Sequence, residues 1–366
     1  MKNQSRRQAL RNLISGSSLL LISPRSLFAC SPRPKDKLGV ALVGLGYYST
    51  DLLAPALQAT KHCYLAGIVT GSPDKAKAWQ KQYGIPDKNI YNYENFDSIA
   101  NNPDIDVVYV VLPPSMHKEY TIRAANAGKH VWCEKPMAMN EQECLDMISA
   151  CAKNKRSLAI GYRLQHEPNT KHWRKMVADQ QLGKVTSLQC AAGYRENRTD
   201  HWKQKREMGG GVMYDMGVYS IQGARMGTGM EPVGIVSANT STTRPEIYKN
   251  GLDEIAVATL EFPRGVLAEI KTSFGENINF LDIHCEKGII RVNPYSAYNG
   301  QRISSPLGNV AHPYSVPAQQ TMQMDDDALA ILQGKPMQVP GEEGLRDIRL
   351  VEAIYKAAGG AGYVKL

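Results

Sequence analysis

The sequence predicts an α/β chain: a doubly wound, parallel sheet first, then an α+β half built on a large, open, mostly antiparallel sheet. An apolar run, Leu38 to Val43, ends in the glycine-rich loop Gly44-Leu45-Gly46-Tyr47-Tyr48-Ser49. Strand-like and helix-like stretches then take turns as far as Gly161, the grammar of crossover units in a parallel sheet. From about Tyr162 strands follow one another with little helix between most of them. At 366 residues the chain exceeds one ordinary core and divides at these points into 38–161 and 162–366, after a leader, 1–30, and a linker, 31–37.

The leader comes first. Lys2, Arg6, Arg7, Arg11 and Arg25, with no acidic residue, account for most of the net charge of +8. The remainder is close to balanced, so the basic character gives no argument for nucleic acid. Ser5-Arg6-Arg7-Gln8-Ala9-Leu10-Arg11 precedes an apolar stretch, Leu13 to Ile22, too short to span a bilayer. It resembles a twin-arginine export signal, with Ala9 where an aromatic is common and Pro24-Arg25 interrupting the apolar region. Leu27-Phe28-Ala29-Cys30 resembles a lipoprotein cleavage box, Phe28 being bulky for its position. Export to the periplasm is expected, with Cys30 a candidate lipid anchor; the alternative is a basic tail.

Six further cysteines, Cys63, Cys133, Cys144, Cys151, Cys190 and Cys285, fall largely within apolar patterns. There a free thiol packs as a small hydrophobe, so no disulfide framework is expected. No CxxC and no histidine pair at ligand spacing occurs, and no metal is expected.

In the loop after Val43, Gly44 lets the chain turn sharply and Gly46 lets backbone approach a pyrophosphate seated on the following helix, expected over Asp51 to Ala59. Ser49 stands in the third small position, so the stretch reads as a dinucleotide site. The next strand, Tyr64 to Thr70, ends without the acid that holds a ribose hydroxyl. Thr70, Ser72 and Lys75 could instead receive a 2′-phosphate, which favours NADP over NAD. The alternative gives the ribose to Asp74 and leaves Lys75 on the surface of a helix from Asp74 to Tyr83.

Helix near Phe96 to Ala100, strand Val107 to Leu112, helix Lys118 to Ala127, strand His130 to Glu134, helix Glu141 to Asn154 and strand Ser157 to Gly161 continue the alternation. Leu112, Pro113 and His117 fall at one strand end, where His117 either touches cofactor or caps the helix. Glu134-Lys135-Pro136 falls at another. Ligands of open α/β sheets bind beyond the strand carboxyl ends, and a lysine fixed there before a proline is a candidate for proton chemistry. The plainer reading is a surface ion pair.

The second half opens on a helix from Asn169 to Gln181 and continues with strands at 185–192, 233–239, 255–262, 266–273, 278–284 and 288–292. One helix intervenes, entered through Met208-Gly209-Gly210-Gly211 and carrying Asp215 and Tyr219 on one face. A carboxylate and a phenol converging on Lys135 make a proton relay; the alternative is a structural pair. The tail, 341–358, is an amphipathic helix, with Leu345, Ile348, Val351 and Ile354 at helical spacing.

With the glycine loop, Glu134-Lys135-Pro136 and Asp215-x-x-x-Tyr219 in hand, the chain resembles the Gfo/Idh/MocA oxidoreductase family, and within it the glucose-fructose branch. Ile160-Gly161-Tyr162-Arg163, Gly209-Gly210-Gly211 and Pro340-Gly341-Glu342-Glu343-Gly344 share the likeness, and Tyr219 stands where many members have histidine. The resemblance implies a Rossmann first domain and NADP in contact with Gly44, Leu45, Gly46, Tyr47, Tyr48, Thr70, Ser72, Lys75, Leu112, Pro113 and His117. It places Glu134 and Lys135 beside the nicotinamide, makes Tyr219 the acid/base with Asp215 orienting a sugar, and frames the site with Arg163, Trp202 and Lys203. It also implies a homodimer or homotetramer joined through the open sheet. The branch has a long proline-rich arm before its first strand; here only Ser31 to Lys37 separates Cys30 from Leu38, so a retained NADP, a sugar dehydrogenase with exchanging NADP, and a relative that uses transient oxidation to cleave or epimerise glycosides all stand open. A non-catalytic sugar or nucleotide sensor is the reading from another class.

Overall fold

The computed structural model describes residues 35–366. Leu38–Val43 forms β1, buried at every position, as an apolar run between two helical layers must be. It pairs in parallel with β2 (Cys63–Val69) on one side and β4 (Val107–Val110) on the other. Adding β3 (Ile90–Tyr91), β5 (His130–Cys133) and β6 (Leu158–Ile160) gives a six-stranded parallel sheet in the order β3-β2-β1-β4-β5-β6. The chain turns to opposite sides after β1 and after β4, which opens a crevice beyond their carboxyl ends.

The connecting helices are α1 (Ala54–Leu57), α2 (Pro73–Tyr83), α3 (His117–Asn126) and α4 (Glu141–Lys153). Ser72 and Asn140 cap α2 and α4 by accepting backbone N–H groups from Lys75 and Glu143. The helix expected over 51–59 begins earlier, as a wide turn at Ser49–Leu53, because the Ala54 N–H reaches back to the Ser49 carbonyl and Pro55 has no N–H to give. The segment expected to be helical near Phe96 to Ala100 tightens into a 3₁₀ stretch, Phe96–Asn101.

The second sheet has nine strands in the order β14-β13-β12-β11-β7-β10-β9-β8-β15. They are β7 (Val185–Gly193), β8 (Gly234–Ser241), β9 (Ile255–Phe262), β10 (Val266–Ser273), β11 (Ile278–Cys285), β12 (Gly288–Val292), β13 (Ile303–Ser305), β14 (Gly308–Val310) and β15 (Val364–Lys365). Only β7 and β10 pair in parallel, so the sheet is mostly antiparallel. Three helices accompany it, α5 (Pro168–Ala178), α6 (Val218–Thr228) and α8 (Gly341–Lys356), and a fourth in this half of the chain, α7 (Ala318–Leu332), packs elsewhere.

Side-chain alternation on the first sheet divides the core in two. Val43, Val108, Val110, Val131 and Cys133 face a core that continues through α4, α6 and α8 to Leu188, Cys190 and Leu281 of the second sheet. Val40, Leu42, Tyr109, Trp132 and Ala159 face the other way, against Leu53, Ala56 and Leu57 and against Met324 and Ala328 of α7. Helix α7 lies far along the chain, yet it packs on the first sheet, and its Asp325 accepts the N–H groups of Lys61 and His62 before β2. This helix was not legible in the sequence.

Candidate active site

Chain geometry brings the glycine loop to the crevice. Gly44 has φ +91, and a Cβ there would lie 2.4 Å from the Val111 carbonyl oxygen, so the turn itself demands glycine. Gly46 differs: a Cβ there meets nothing within 4 Å. The protein leaves that space open, as close approach of a pyrophosphate requires. Ser49, fully buried, donates to the Gly44 carbonyl at 2.6 Å and fixes the loop. Leu45 is buried beneath the loop and Tyr47 is exposed. Tyr48 turns inward and accepts from Gln320 of α7 at 3.3 Å.

Thr70, Ser72 and Lys75 gather at the end of β2. The Ser72 N–H donates to the Thr70 hydroxyl at 3.2 Å, the Lys75 N–H donates to the Ser72 hydroxyl, and the Lys75 ammonium donates to the Leu45 carbonyl at 3.1 Å. Each hydroxyl uses a lone pair here and keeps its own proton to give. At the end of β4, His117 sets its ring nitrogens 2.9 Å from the Pro136 carbonyl oxygen and 2.7 Å from that of Leu112. Burial pulls its pKa down. It ties two strand-end loops together and closes the start of α3, with Leu112 and Pro113 in the loop it holds.

Glu134 and Lys135 follow β5, and the Lys135–Pro136 peptide is cis. Glu134 is buried and accepts from the Tyr109 hydroxyl at 2.6 Å. Burial pushes its carboxyl up to about 7. A side chain at position 161 would strike it, since a Cβ on Gly161 would lie 2.6 Å from Glu134 Oε1.

Lys135 reaches across to the wide turn Met213–Gly217 that leads into α6. Its ammonium donates to the Asp215 carbonyl at 2.8 Å and to Asp215 Oδ1 at 3.0 Å, and stands 4.7 Å from the centre of the Tyr219 ring. Lys203 donates to the other carboxylate oxygen, Oδ2, and to the Tyr194 hydroxyl. Burial alone would raise the Asp215 carboxyl; the ammonium groups of Lys135 and Lys203 outweigh it and hold the group well below the usual range. Burial likewise works against the Lys135 ammonium, but Asp215 and Tyr219 raise its pKa above the ordinary value. The relay therefore has a definite shape: Lys135 stands between Asp215 and Tyr219, and both carboxylate oxygens are held by cations.

Arg163, buried, closes the far side of Tyr219. Its guanidinium lies 5.3 Å from the centre of the Tyr219 ring and 4.3 Å from that of Tyr298, and donates to the Ser296 and Ala297 carbonyls and to Gln319 of α7. The Trp202 ring centre lies 5.6 Å from the Lys203 ammonium. Lys135, Asp215, Tyr219, Lys203 and Arg163 thus form one cluster, next to Glu134, while Thr70, Ser72 and Lys75 form a second around the glycine loop. Tyr109, Tyr194 and Gln319 join these clusters without having been singled out. Tyr109 carried a signal, as a phenol inside the apolar run Val107–Val110, and Tyr194 stands directly after β7, at the head of the loop that carries Trp202 and Lys203. Gln319 carried none. Among the described residues no group of three metal-binding side chains occurs.

A pyrophosphate-ready loop and a strand-end lysine locked to a helix carboxylate define an NAD(P)-dependent oxidoreductase. The chain belongs to the Gfo/Idh/MocA family: the family's oxidoreductase model, with its NAD-binding Rossmann fold, matches residues 38–162, and its C-terminal-domain model matches residues 170–291. Among solved structures, the aldose-aldose oxidoreductase of Caulobacter crescentus, complexed with glycerol, is 40% identical with a TM-score of 0.86, over 90% of this chain and 100% of its own. D-xylose 1-dehydrogenase [NADP(+)] of Haloarcula marismortui is 25% identical over 342 residues, 89% of this chain and 92% of that protein. The 2,7-anhydro-N-acetylneuraminate hydratase of Escherichia coli is 27% identical over 296 residues, 79% of this chain and 75% of that protein.

Proposed function

We propose that the protein is an NADP-dependent sugar oxidoreductase that moves a hydride between C1 of an aldose and the nicotinamide, one sugar restoring the cofactor that another has changed. The observation that carries this is the Lys135 ammonium, bonded to Asp215 and poised 4.7 Å from the centre of the Tyr219 ring at the edge of the crevice. The likeness to an aldose-aldose oxidoreductase over 90% of this chain supports the two-sugar form.

NADP, when bound, supplies the hydride chemistry. Gly44 and Gly46 receive the pyrophosphate, and Thr70, Ser72 and Lys75 offer hydroxyl and ammonium donors to the 2′-phosphate. Glu134 fixes the nicotinamide end. Lys135 and Tyr219 hold and move the sugar hydroxyl proton. Asp215 keeps Lys135 charged and in place, and Arg163, Trp202 and Lys203 bound the pocket.

Gel-filtered protein is scanned for absorbance before and after adding an aldose alone. A band at about 340 nm, where reduced nicotinamide absorbs, that appears with one sugar and fades with a second establishes a retained cofactor and two-sugar cycling. A band only after NADP is added gives an exchanging dehydrogenase instead. No band under either condition, with NADP still bound, gives the sensor and ends the proposal.

Export rests on the sequence of the first thirty residues, which lie outside the described ones along with the candidate anchor Cys30. Cell fractionation checks it. A homodimer or homotetramer through the open face of the second sheet fits the exposed Val236, Val257 and Leu267 on its strands, and light scattering in solution gives the state.

A further inference from the structure

Helix α7 buries the wrong side chains for an ordinary core helix. Gln319, Gln320, Gln323 and Asp327 are each no more than 1% exposed, and the last three present polar atoms with no protein partner among the described residues: Gln320 Oε1, Gln323 Oε1 and both carboxylate oxygens of Asp327. Trp132, in one core with Met324 and Ala328 of α7, and His166, whose Nδ1 meets Asp326 of α7, likewise have a buried ring nitrogen without a partner, Nε1 and Nε2 respectively. A buried carboxylate stripped of partners costs several kcal/mol unless it is protonated or hydrated, and ordered water is the usual solution where polar atoms converge.

The two ends of this seam are joined to recognisable groups. At one end Gln323 donates to the Tyr109 hydroxyl at 2.9 Å, and Tyr109 donates to Glu134 at 2.6 Å. One helical turn further along α7, Asp327 lies within the electrostatic reach of His166. His166 in turn sets Nδ1 3.0 Å from Asp326, whose side chain is 37% exposed.

From this we infer that the seam between α7 and the first sheet is a hydrated proton path, running from Glu134 through the Tyr109 hydroxyl, water held by the Gln320 and Gln323 amide oxygens, and Asp327 to His166 and Asp326 at the surface. It rests on the oxidoreductase reading, because oxidising a sugar hydroxyl sends a hydride to the cofactor and leaves one proton to dispose of. Only that proton travels: Lys135 or Tyr219 passes it to the Glu134 carboxylate, and the Tyr109 hydroxyl turns from Glu134 to take it while giving its own proton to the seam water. Asp327 and His166 relay it, each hop breaking one O–H or N–H bond as the next forms, and solvent receives it at Asp326. No electron moves along the path. Burial pushes both Glu134 and Asp327 up to about 7, so either can carry the proton near neutrality. The groups bearing on Asp327 are His166 from the turn after β6 and Asp326 of α7 itself, with Cys63 at the start of β2 within its reach and Lys171 of α5 bonded to Asp326.

The test compares the full protein with Asp327→Asn, which keeps size and polarity but cannot carry the proton, and with His166→Gln. Infrared difference spectra between pH 5 and 9 should lose one protonated-carboxyl component in Asp327→Asn, with no turnover needed. In aldose oxidation kcat should fall roughly tenfold, KM should hold, and small buffers such as imidazole should restore the rate. A purely structural role gives no buffer rescue. If Asp327→Asn leaves the carboxyl spectrum, the pH profile and the buffer response unchanged, the path is wrong. If no sugar is ever turned over while the infrared component is lost, the seam holds its proton and the sugar reading fails alone.

Discussion

At the scale of single residues, Lys135 is set by three contacts that act together: a carbonyl and a carboxylate oxygen of Asp215, and the face of Tyr219. Lys135→Ala should lower kcat by roughly 10²–10⁴ while NADP still binds, checked by steady-state rates beside fluorescence titration. Lys203→Ala takes one of two cations from Asp215, so its carboxyl climbs toward the ordinary range. Asp215 must be ionised to hold Lys135, and the acidic limb of the pH–rate profile should therefore move to higher pH. An unmoved limb would separate Lys203 from the reaction. Lys75→Ala should weaken NADP by roughly 10–100-fold and leave NAD nearly unchanged. Lys135, Asp215 and Tyr219 were legible because each sits where an element ends or begins. Tyr109 was not read as a site residue, since a phenol in a strand is usually core, nor was Tyr194, just past a strand end, and only the fold shows which hydroxyl meets Glu134 and which meets Lys203.

At the scale of elements, two glycines of one loop separate folding from binding. Gly44→Ala should unfold at lower temperature, because its φ of +91 and the Val111 carbonyl at 2.4 Å leave no room. Gly46→Ala should keep the wild-type melting temperature within about 0.5 kcal/mol of stability and lose cofactor affinity, read by thermal unfolding with and without NADP. Most strands announced themselves through β-branched runs, and β9, β10 and β12 fall within their expected limits. Helix α7 did not, for a physical reason: its buried stripe is Gln319, Gln320, Gln323 and Asp327, interleaved with Met324 and Ala328. A helix that buries glutamines has no apolar period to find. The short strands β3, β13, β14 and β15 are paired by neighbours rather than by their own composition.

For the molecule as a whole, the buried carboxyls set how stability follows pH. Asp327 rises from 3.8 to about 7 on folding because burial penalises its charge. The folded chain then holds this proton more tightly than the unfolded one, so the contribution is complete below about 4 and is lost as pH climbs through about 7. Asp215 acts oppositely, its depressed pKa giving stability that is present above the ordinary carboxylate range and fades in strong acid. Asp327→Asn should therefore gain on wild type as pH rises from 4 to 8, by roughly 1–3 kcal/mol, with the least gain at pH 4. Denaturant unfolding at the two pH values measures it; an equal difference at both would put the proton elsewhere. The two-sheet architecture was legible because strand spacing changes at Tyr162. The return of α7 to the first sheet was not, because contacts between distant parts of a chain leave no local mark.

That return also bears on time. A ribosome delivers the first sheet early, but the helix that covers Tyr109 and Trp132 emerges only after eight of the nine strands of the second sheet have been made. The nascent nucleotide-binding half waits, one face uncovered, for about half of the chain to follow, which is the interval in which chaperones act. Synthesis stopped before Ala318 should leave a fragment that clings to them, and a chain released past Leu332 should let go.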